Sequence, residues 1–310
     1  MGTVLATVLP FFAIILCGIG AGKRELLRGD AVRALNAFVF YFALPALVFL
    51  KLAQTPLSGL LHPAFLMAWL SAALLTFFSC ALLGRLLFGS SATETALQGL
   101  SCCFSNTGFL GFPMLIVLYG DWTTGPFVVA LTVDMIVLIP LTTVWLQAMS
   151  RNSSSSVLWR VLHAWRDSLL TPLVAAIVLG MAVSAAGFGL PTPVERFMSV
   201  LGQAAAPSAL FALGVALASR KVDERRGELA FLTIGKLAIH PGNLALFVTV
   251  FNVEDDWAKA GVLFAALPIA NTVFVLADQF DTYAVRSSAA ILVTTIVSVI
   301  SLSVLVYVLQ

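Results

Sequence analysis

The sequence predicts an all-α membrane protein of ten transmembrane helices in two inverted five-helix repeats, with the fourth and ninth helices broken. Three observations predict this class. Hydrophobic residues make up 60% of the 310 positions and charged residues only 10%, which is not the composition of a soluble domain of this size. Apolar runs of about 20 residues, the length that spans a bilayer, recur along the chain. The two halves of the chain also resemble each other.

Ten apolar runs are bounded by charges, by Gly and Pro, or by serine clusters. The first run has neither a basic segment before it nor a small-residue cleavage pattern, so it is predicted to be a retained helix rather than a signal peptide. The predicted helices lie near 3–22, 34–53, 62–88, 95–119, 125–149, 168–187, 196–218, 229–250, 258–280 and 285–309.

The basic residues are distributed unevenly between the two sides of these helices. If the N-terminus faces outward, the loops after the first, third, fifth, seventh and ninth helices hold 13 of the 17 Lys and Arg residues. Loops rich in Lys and Arg stay in the cytosol. Both termini are therefore predicted to lie outside.

The longest polar break, 151–167, is rich in serine and divides the chain almost in half. It is predicted to be a cytosolic linker that joins a first five-helix repeat, 1–150, to a second, 168–310. Because five is an odd number, the second repeat must enter the membrane in the opposite sense to the first. Inverted repeats of this kind are typical of secondary transporters.

Two matched pairs of segments carry the repeat. Ala43–Phe49 of the second predicted helix resembles Ala205–Phe211 of the seventh, at an offset of 162 residues. Ser105–Phe109 of the fourth resembles Ala270–Phe274 of the ninth, at an offset of 165. Chance similarity within a small apolar alphabet is the alternative interpretation.

The fourth and ninth predicted helices carry helix-breaking residues at corresponding positions. An unpaired backbone group is tolerated within a bilayer only where protein or a water-lined cavity satisfies it, and Pro113 and Pro268 each remove a backbone donor. They are the residues at which the two helices are predicted to be interrupted. Half-helix N-termini and asparagine amides suit a carboxylate, although Pro and Gly could also simply kink packed helices. The predicted substrate-binding residues are Asn106, Thr107, Gly108, Asn271 and Thr272.

Ionisable residues inside the predicted helices form a second group of candidates. Asp134 lies near the middle of the fifth helix, where a charge costs roughly 2.5–3.5 kcal/mol on insertion scales. Lys236 lies in the eighth helix, and His240 follows one turn later on the same face. These three residues are predicted to bind a coupling proton or to balance substrate charge. A structural ion pair, or a protonated Asp134 that hydrogen-bonds another helix, is the alternative.

Enzymatic motifs are absent from the sequence. It contains no HExxH, GxGD or Gly-x-Ser-x-Gly motif, and its histidines, His62, His163 and His240, are scattered. The four cysteines fall within apolar runs, where free thiols are expected. We therefore expect neither an enzyme nor a metal or cofactor, apart from a coupling ion such as H⁺ or Na⁺.

Three segments resemble a known family: Leu35–Leu47 in the second predicted helix, Ser105–Pro113 in the fourth, and Leu267-Pro268 with Asn271 in the ninth. There, and over essentially the whole chain, the sequence resembles the auxin efflux carrier family, particularly its bacterial malonate-transporter-like branch. The resemblance implies a fold similar to that of plant PIN carriers and bile acid:sodium symporters. It also implies a bacterial inner membrane protein whose termini are periplasmic.

The resemblance further implies roles for particular helices and residues. Helices 1, 2, 6 and 7 would form a scaffold, through which two subunits could pair, and helices 3–5 and 8–10 a transport domain that moves like an elevator. Pro113 and Pro268 would be the crossover prolines at which the fourth and ninth helices cross. Asn106 would be the asparagine of the fourth helix, and Asn271 lies close to the corresponding position of the ninth. Two departures stand out. The linker is short, and Leu66–Phe78 has no counterpart of the acid–base pair associated with the plant carriers.

These observations predict a secondary active transporter of a small organic anion, with a carboxylate such as malonate as the leading substrate and the proton as a candidate coupling ion. The expected partners are that anion, the lipid bilayer and a second copy of the chain, but no nucleic acid. A channel, a ligand sensor, or a carrier of an aromatic or other monocarboxylate such as auxin is the alternative.

Overall fold

The computed structural model describes residues 2–27, 29–56, 62–149, 162–163, 165–166, 169–187, 189–218 and 225–309. Within these ranges the chain is helical and has no strand. The helices are α1 Gly2–Lys23, α2 Asp30–Gln54, α3 Pro63–Phe88, α4 Ala92–Cys103, α5 Thr107–Tyr119, α6 Asp121–Met149, α7 Pro172–Ala186, α8 Thr192–Ala218, α9 Arg226–Val250, α10 Asp255–Ala265, α11 Asn271–Gln279 and α12 Ala284–Leu309.

Six of the described helices, α2, α3, α6, α8, α9 and α12, are long and apolar enough to cross a membrane. The described parts of α1, α5 and α7 are apolar but shorter. Large apolar side chains on these helices face outward, and Leu86, Val200 and Ile300 are each at least 71% exposed. Such an apolar surface is stable in the hydrocarbon interior of a lipid bilayer. The chain is therefore a multi-pass membrane protein.

The observed helices follow the predicted runs closely, but two runs are interrupted. α4 ends at Cys103 and α5 begins at Thr107. In the second half of the chain, α10 ends at Ala265 and α11 begins at Asn271. The predicted linker 151–167 lies almost entirely outside the described residues, so its position stays a prediction, as does the inverted relation between the halves.

The chain divides into two compact units. The first unit contains α1, α2, α5, the beginning of α6, α7 and α8. The second unit contains α3, α4, the rest of α6, and α9 to α12. The division passes between Asn106 and Thr107, so α4 and α5 belong to different units although they are consecutive.

Glycine permits the closest helix packing in the first unit. A methyl group at Gly18 on α1 would overlap the carbonyl oxygen of Phe211 on α8, and one at Gly214 on α8 would overlap that of Ile15 on α1. Two backbones can approach this closely only where side chains are missing, as small residues allow in membrane helices.

The core of the second unit is built around α4. Leu97 and Leu100 are fully buried, and they belong to one apolar cluster with Phe77 of α3, Leu232 of α9 and Ala289 of α12. α4, which ends just before Phe104, therefore packs against several other helices.

Candidate functional site

The helix breaks 104–106 and 266–270 lie against each other in the second unit. Ser105 and Ile269 form an antiparallel bridge. We call these two segments the crossing. It lies between the end of α4 and the beginning of α11.

Backbone groups of the two segments satisfy each other. The N–H of Asn106 donates to the carbonyl of Pro268 at 2.9 Å, and the N–H of Ala270 donates to the carbonyl of Phe104 at 3.2 Å. Unwound helix is tolerated at membrane depth only where the protein supplies such partners. The pairing therefore explains how two breaks persist inside apolar spans.

Side chains from other helices support the crossing. The N–H of Ile269 donates to Oγ1 of Thr294 at 3.3 Å. The carbonyl of Ala265, at the end of α10, accepts from Nζ of Lys236 at 2.5 Å and from Oγ of Ser105 at 3.4 Å. Thus α9 and α12 each contribute a polar group that holds this segment in place.

The two predicted asparagines lie at the crossing and just beyond it. Asn106 is only 2% exposed. A buried amide needs hydrogen-bond partners, so its side chain is suited to hold a polar ligand. Asn271 and Thr272 begin α11, where the first N–H groups have no acceptor within the helix and the helix dipole is positive.

Thr107 and Gly108 lie at the start of α5, which belongs to the first unit. They open a π turn, Thr107–Gly111. A methyl group at Gly108 would come within 3.2 Å of Cδ2 of Leu44 on α2, so α5 packs closely there. The structure therefore uses Gly108 for packing within this unit.

Pro113, a predicted crossover residue, does not lie in the extended segment, and its role stays a prediction. Pro113 lies inside α5, whereas the extended segment comes earlier, at 104–106. The π turn Thr107–Gly111 ends two residues before Pro113, and its wider backbone accommodates the proline ring without ending the helix. Pro268, in contrast, does lie in the crossing.

Asp134, Lys236 and His240 are all fully buried in the second unit. Oδ1 of Asp134 accepts a hydrogen bond from Nε1 of Trp69 at 3.2 Å, whereas Oδ2 has no partner. The charges of Asp134 and Lys236 interact, but within the described chain they form no direct ion pair. The two side chains instead contact different groups.

His240 contacts the Trp69 indole. The two rings meet edge to face, with centroids 5.8 Å apart. Nδ1 of His240 is 3.4 Å from Oγ1 of Thr76, which also accepts from the amide of Asn243 at 2.9 Å, and Nε2 has no partner. Trp69 thus connects the carboxylate and the imidazole.

The sequence analysis missed a second polar cluster. Oε1 of Glu228, which is 2% exposed, accepts from Nε2 of Gln98 at 2.6 Å and from the hydroxyl of Tyr283 at 2.5 Å. Arg286 pairs with Glu94 at 2.7 Å and with Glu228 at 3.6 Å. We call these five residues the Glu228 cluster.

The Glu228 cluster joins the beginnings of three helices that each reach the crossing. α4 leads into it, α9 carries Lys236 and α12 carries Thr294. A charge at the edge of an apolar run normally marks the end of a span. Taken one by one, these residues therefore did not indicate a buried polar cluster. Acidic residues in the first turns of α4 and α9 were the available indication.

Among the described residues, no three His, Cys, Asp or Glu side chains are grouped to hold a metal ion. Cys80, Cys102 and Cys103 are buried free thiols in the second unit.

The fold and the crossing define a polytopic helical membrane transporter. The chain belongs to the membrane transport protein family, an auxin efflux carrier-like family, whose model matches residues 3–306. The family resemblance noted from the sequence is thereby confirmed, and the protein is not an enzyme.

Similar proteins support this assignment. The "Putative malonate transporter" of Rhizobium meliloti (strain 1021) is 29% identical, covering 100% of this chain and 97% of its own. The "Uncharacterized transporter YfdV" of Escherichia coli (strain K12) is 27% identical, covering 98% and 97%. The "Lysosomal cholesterol signaling protein" of Mus musculus is 25% identical over 94% of this chain but only 36% of its own length.

Proposed function

We propose that this protein is a secondary active transporter of a small organic anion, with a carboxylate such as malonate as its substrate. The crossing is the observation that carries the proposal, because it places a buried amide, Asn106, beside the segment that leads into the N-terminus of α11. The relative named as a malonate transporter supports the choice of substrate.

An anion suits the crossing better than a cation does. The first N–H groups of α11 and the amide of Asn106 are donors, and the dipole of α11 is positive at this end. Lys236 lies next to the crossing, where its Nζ contacts the carbonyl of Ala265, and in its protonated form it supplies a positive charge there. A carboxylate would accept hydrogen bonds from these donors and be attracted by the lysine.

We further propose an elevator-like cycle in an inverted-repeat fold. The grouping of α3, α4 and α9–α12 in one compact unit supports this cycle, because helices that pack together can move as one body. The helices α1, α2, α7 and α8 would form the scaffold and the site of dimerisation. α5 and the beginning of α6 group with the scaffold helices here, unlike the arrangement that the resemblance implied.

Coupling is assigned to the buried ionisable residues Asp134, Lys236 and His240. Each has zero exposure, and Oδ2 of Asp134 and Nε2 of His240 have no partner. Ionisable groups kept within a membrane at this cost are typically part of an ion or proton pathway. We propose H⁺ as the coupling ion, with Na⁺ as the alternative.

Reconstitution in liposomes tests the transporter and its site together. We expect saturable uptake of radiolabelled malonate by the wild type and loss of most of it in Asn106→Ala. Asn252→Gly is the matched control, since Asn252 lies after α9 with a φ of 49° that glycine adopts readily. Normal uptake by Asn106→Ala would refute the site, and no uptake of malonate or other carboxylates under any gradient would refute the function.

A ligand sensor is the second candidate, because one relative is named a signalling protein. Counterflow distinguishes the two, since a carrier loaded with unlabelled malonate exchanges it for labelled malonate and a sensor does not. Competition by an aromatic monocarboxylate in the same assay would show whether the substrate range extends that far.

A further inference from the structure

Asp134 and Lys236 are a balanced pair of charges without a direct bond between them. The fully or almost fully buried Asp, Glu and Lys residues of the described chain are Asp134, Glu228 and Lys236. Glu228 has Arg286 as a charged partner. Asp134 instead hydrogen-bonds an indole, and Lys236 a backbone carbonyl. Each is therefore balanced only by the other.

Binding of an anion at the crossing disturbs this balance. An uncompensated charge in a buried site costs several kcal/mol. With Asp134 ionised and Lys236 charged, the empty site is neutral, and a bound carboxylate makes it negative. A proton on Asp134 restores neutrality and leaves Lys236 to balance the substrate.

We propose that the protein carries one carboxylate monoanion together with one proton, which binds Oδ2 of Asp134 while Lys236 remains charged. This inference rests on the proposed transport function and specifies the form of its substrate. The proton comes from water on the side where the substrate enters, and both are released to water on the other side. The site then has zero net charge in both the empty and the loaded carrier.

Other titratable groups surround Asp134. The thiols of Cys102 and Cys103 interact electrostatically with Lys236, and that of Cys80 with Cys103. His240 contacts the Trp69 ring. Oδ2 of Asp134 and Nε2 of His240 are the two polar atoms of this group without a partner. We assign the proton to Asp134 because carboxylate protonation makes a negative group neutral, whereas protonation of His240 adds a positive charge.

Two consequences follow for the transported species. Malonate crosses as the singly ionised form, since a dianion would leave the loaded site negative. Wild-type transport responds to a pH gradient and not to membrane potential, because neither form of the carrier moves net charge. At equilibrium the gradient of the monoanion is then about tenfold per pH unit.

The test uses the full chain in liposomes, with pH gradients and potassium–valinomycin potentials imposed separately. We expect wild-type malonate uptake to follow the pH gradient alone. Asp134→Asn retains measurable counterflow, loses its response to the pH gradient, and gains a response to potential, because its empty form carries the charge of Lys236. Thr142→Val, which removes a buried hydroxyl from the same helix, is the control and behaves as wild type.

The possible outcomes separate the inference from the proposed function. Absence of wild-type counterflow would refute transport itself. Wild-type uptake driven by potential would refute the stoichiometry, whatever the variants do. Retention of the pH response in Asp134→Asn, or its loss in His240→Gln instead, would refute the assignment to Asp134. If Asp134→Asn does not fold, Asp134→Glu must retain the pH response.

Discussion

Asp134 depends on one indole for the hydrogen bond that holds its carboxylate. Nε1 of Trp69 donates at 3.2 Å, and the same ring contacts His240. In a buried site the loss of one donor leaves the acceptor with its full desolvation cost. The indole is therefore a positioning group for both ionisable residues.

Replacing the indole tests this role. Trp69→Phe keeps an aromatic ring but removes the N–H, and we expect the free energy of unfolding to fall by about 1–3 kcal/mol beyond the cost of the smaller ring. Thermal unfolding in detergent measures the change. Trp145→Phe is the control, because Trp145 packs against Phe77 and donates no hydrogen bond within the described chain. Equal shifts in both variants would contradict the prediction.

At the scale of helices, the prolines act through π turns. Each π turn ends two residues before a proline, which removes a backbone donor and crowds the preceding turn. Two of these turns contain Asp134 and Lys236, so the distorted backbone lies where the buried charges are. The pairs are Val39–Ala43 with Pro45, Thr107–Gly111 with Pro113, Asp134–Leu138 with Pro140, and Gly235–Ile239 with Pro241.

This pattern explains why a proline lies in the extended segment of one interrupted run and not in that of the other. A proline in a helical run indicates a disturbance, but not whether the helix ends or only widens. Pro268 lies in extended backbone, whereas Pro113 follows a π turn and the helix continues. Asn106 was identified because a polar residue beside Gly and Pro is unusual in an apolar span.

Helix packing in the first unit gives a prediction with an internal control. Gly18→Ala would overlap the backbone of α8, and we expect destabilisation by about 1–3 kcal/mol. Gly20→Ala, on the same helix with no atom within 4 Å of the added methyl group, should be neutral or stabilising by up to about 1 kcal/mol. Thermal unfolding compares them, and equal effects would contradict the packing.

The Glu228 cluster predicts a link between three helix ends and the crossing. Glu228→Gln leaves a similar shape but removes the charge that Arg286 pairs with, at a cost of about 3 kcal/mol. We also expect a higher half-saturation concentration for malonate, since α4, α9 and α12 position the crossing.

Thermal unfolding and uptake kinetics measure the two effects of Glu228→Gln separately. Glu254→Gln, at the start of α10 and exposed to solvent, is the control. Lower stability with an unchanged half-saturation concentration would show that the cluster is only structural.

At the scale of the whole molecule, the spans were predictable and their grouping was not. Long apolar runs are visible in composition because lipid requires them, so the observed helices agree with the predicted runs to within a few residues. Which helices pack together depends on shape, as at Gly18 and Gly214, and a single sequence does not contain that information. The separation of α5 from α4 into different units is the clearest example.

Membrane orientation is a property of the whole chain that the positive-inside rule predicts. Because 13 of the 17 basic residues fall in alternate loops, we expect both termini on the periplasmic side. Alkaline phosphatase folds only after export, so a fusion after Gln310 should be active and an insertion within 151–167 inactive. A fluorescent protein that folds only in the cytosol should give the opposite pattern. Activity of both phosphatase fusions would refute an odd number of spans after the linker region. Activity in the linker alone would reverse the orientation and place the Glu228 cluster on the periplasmic side.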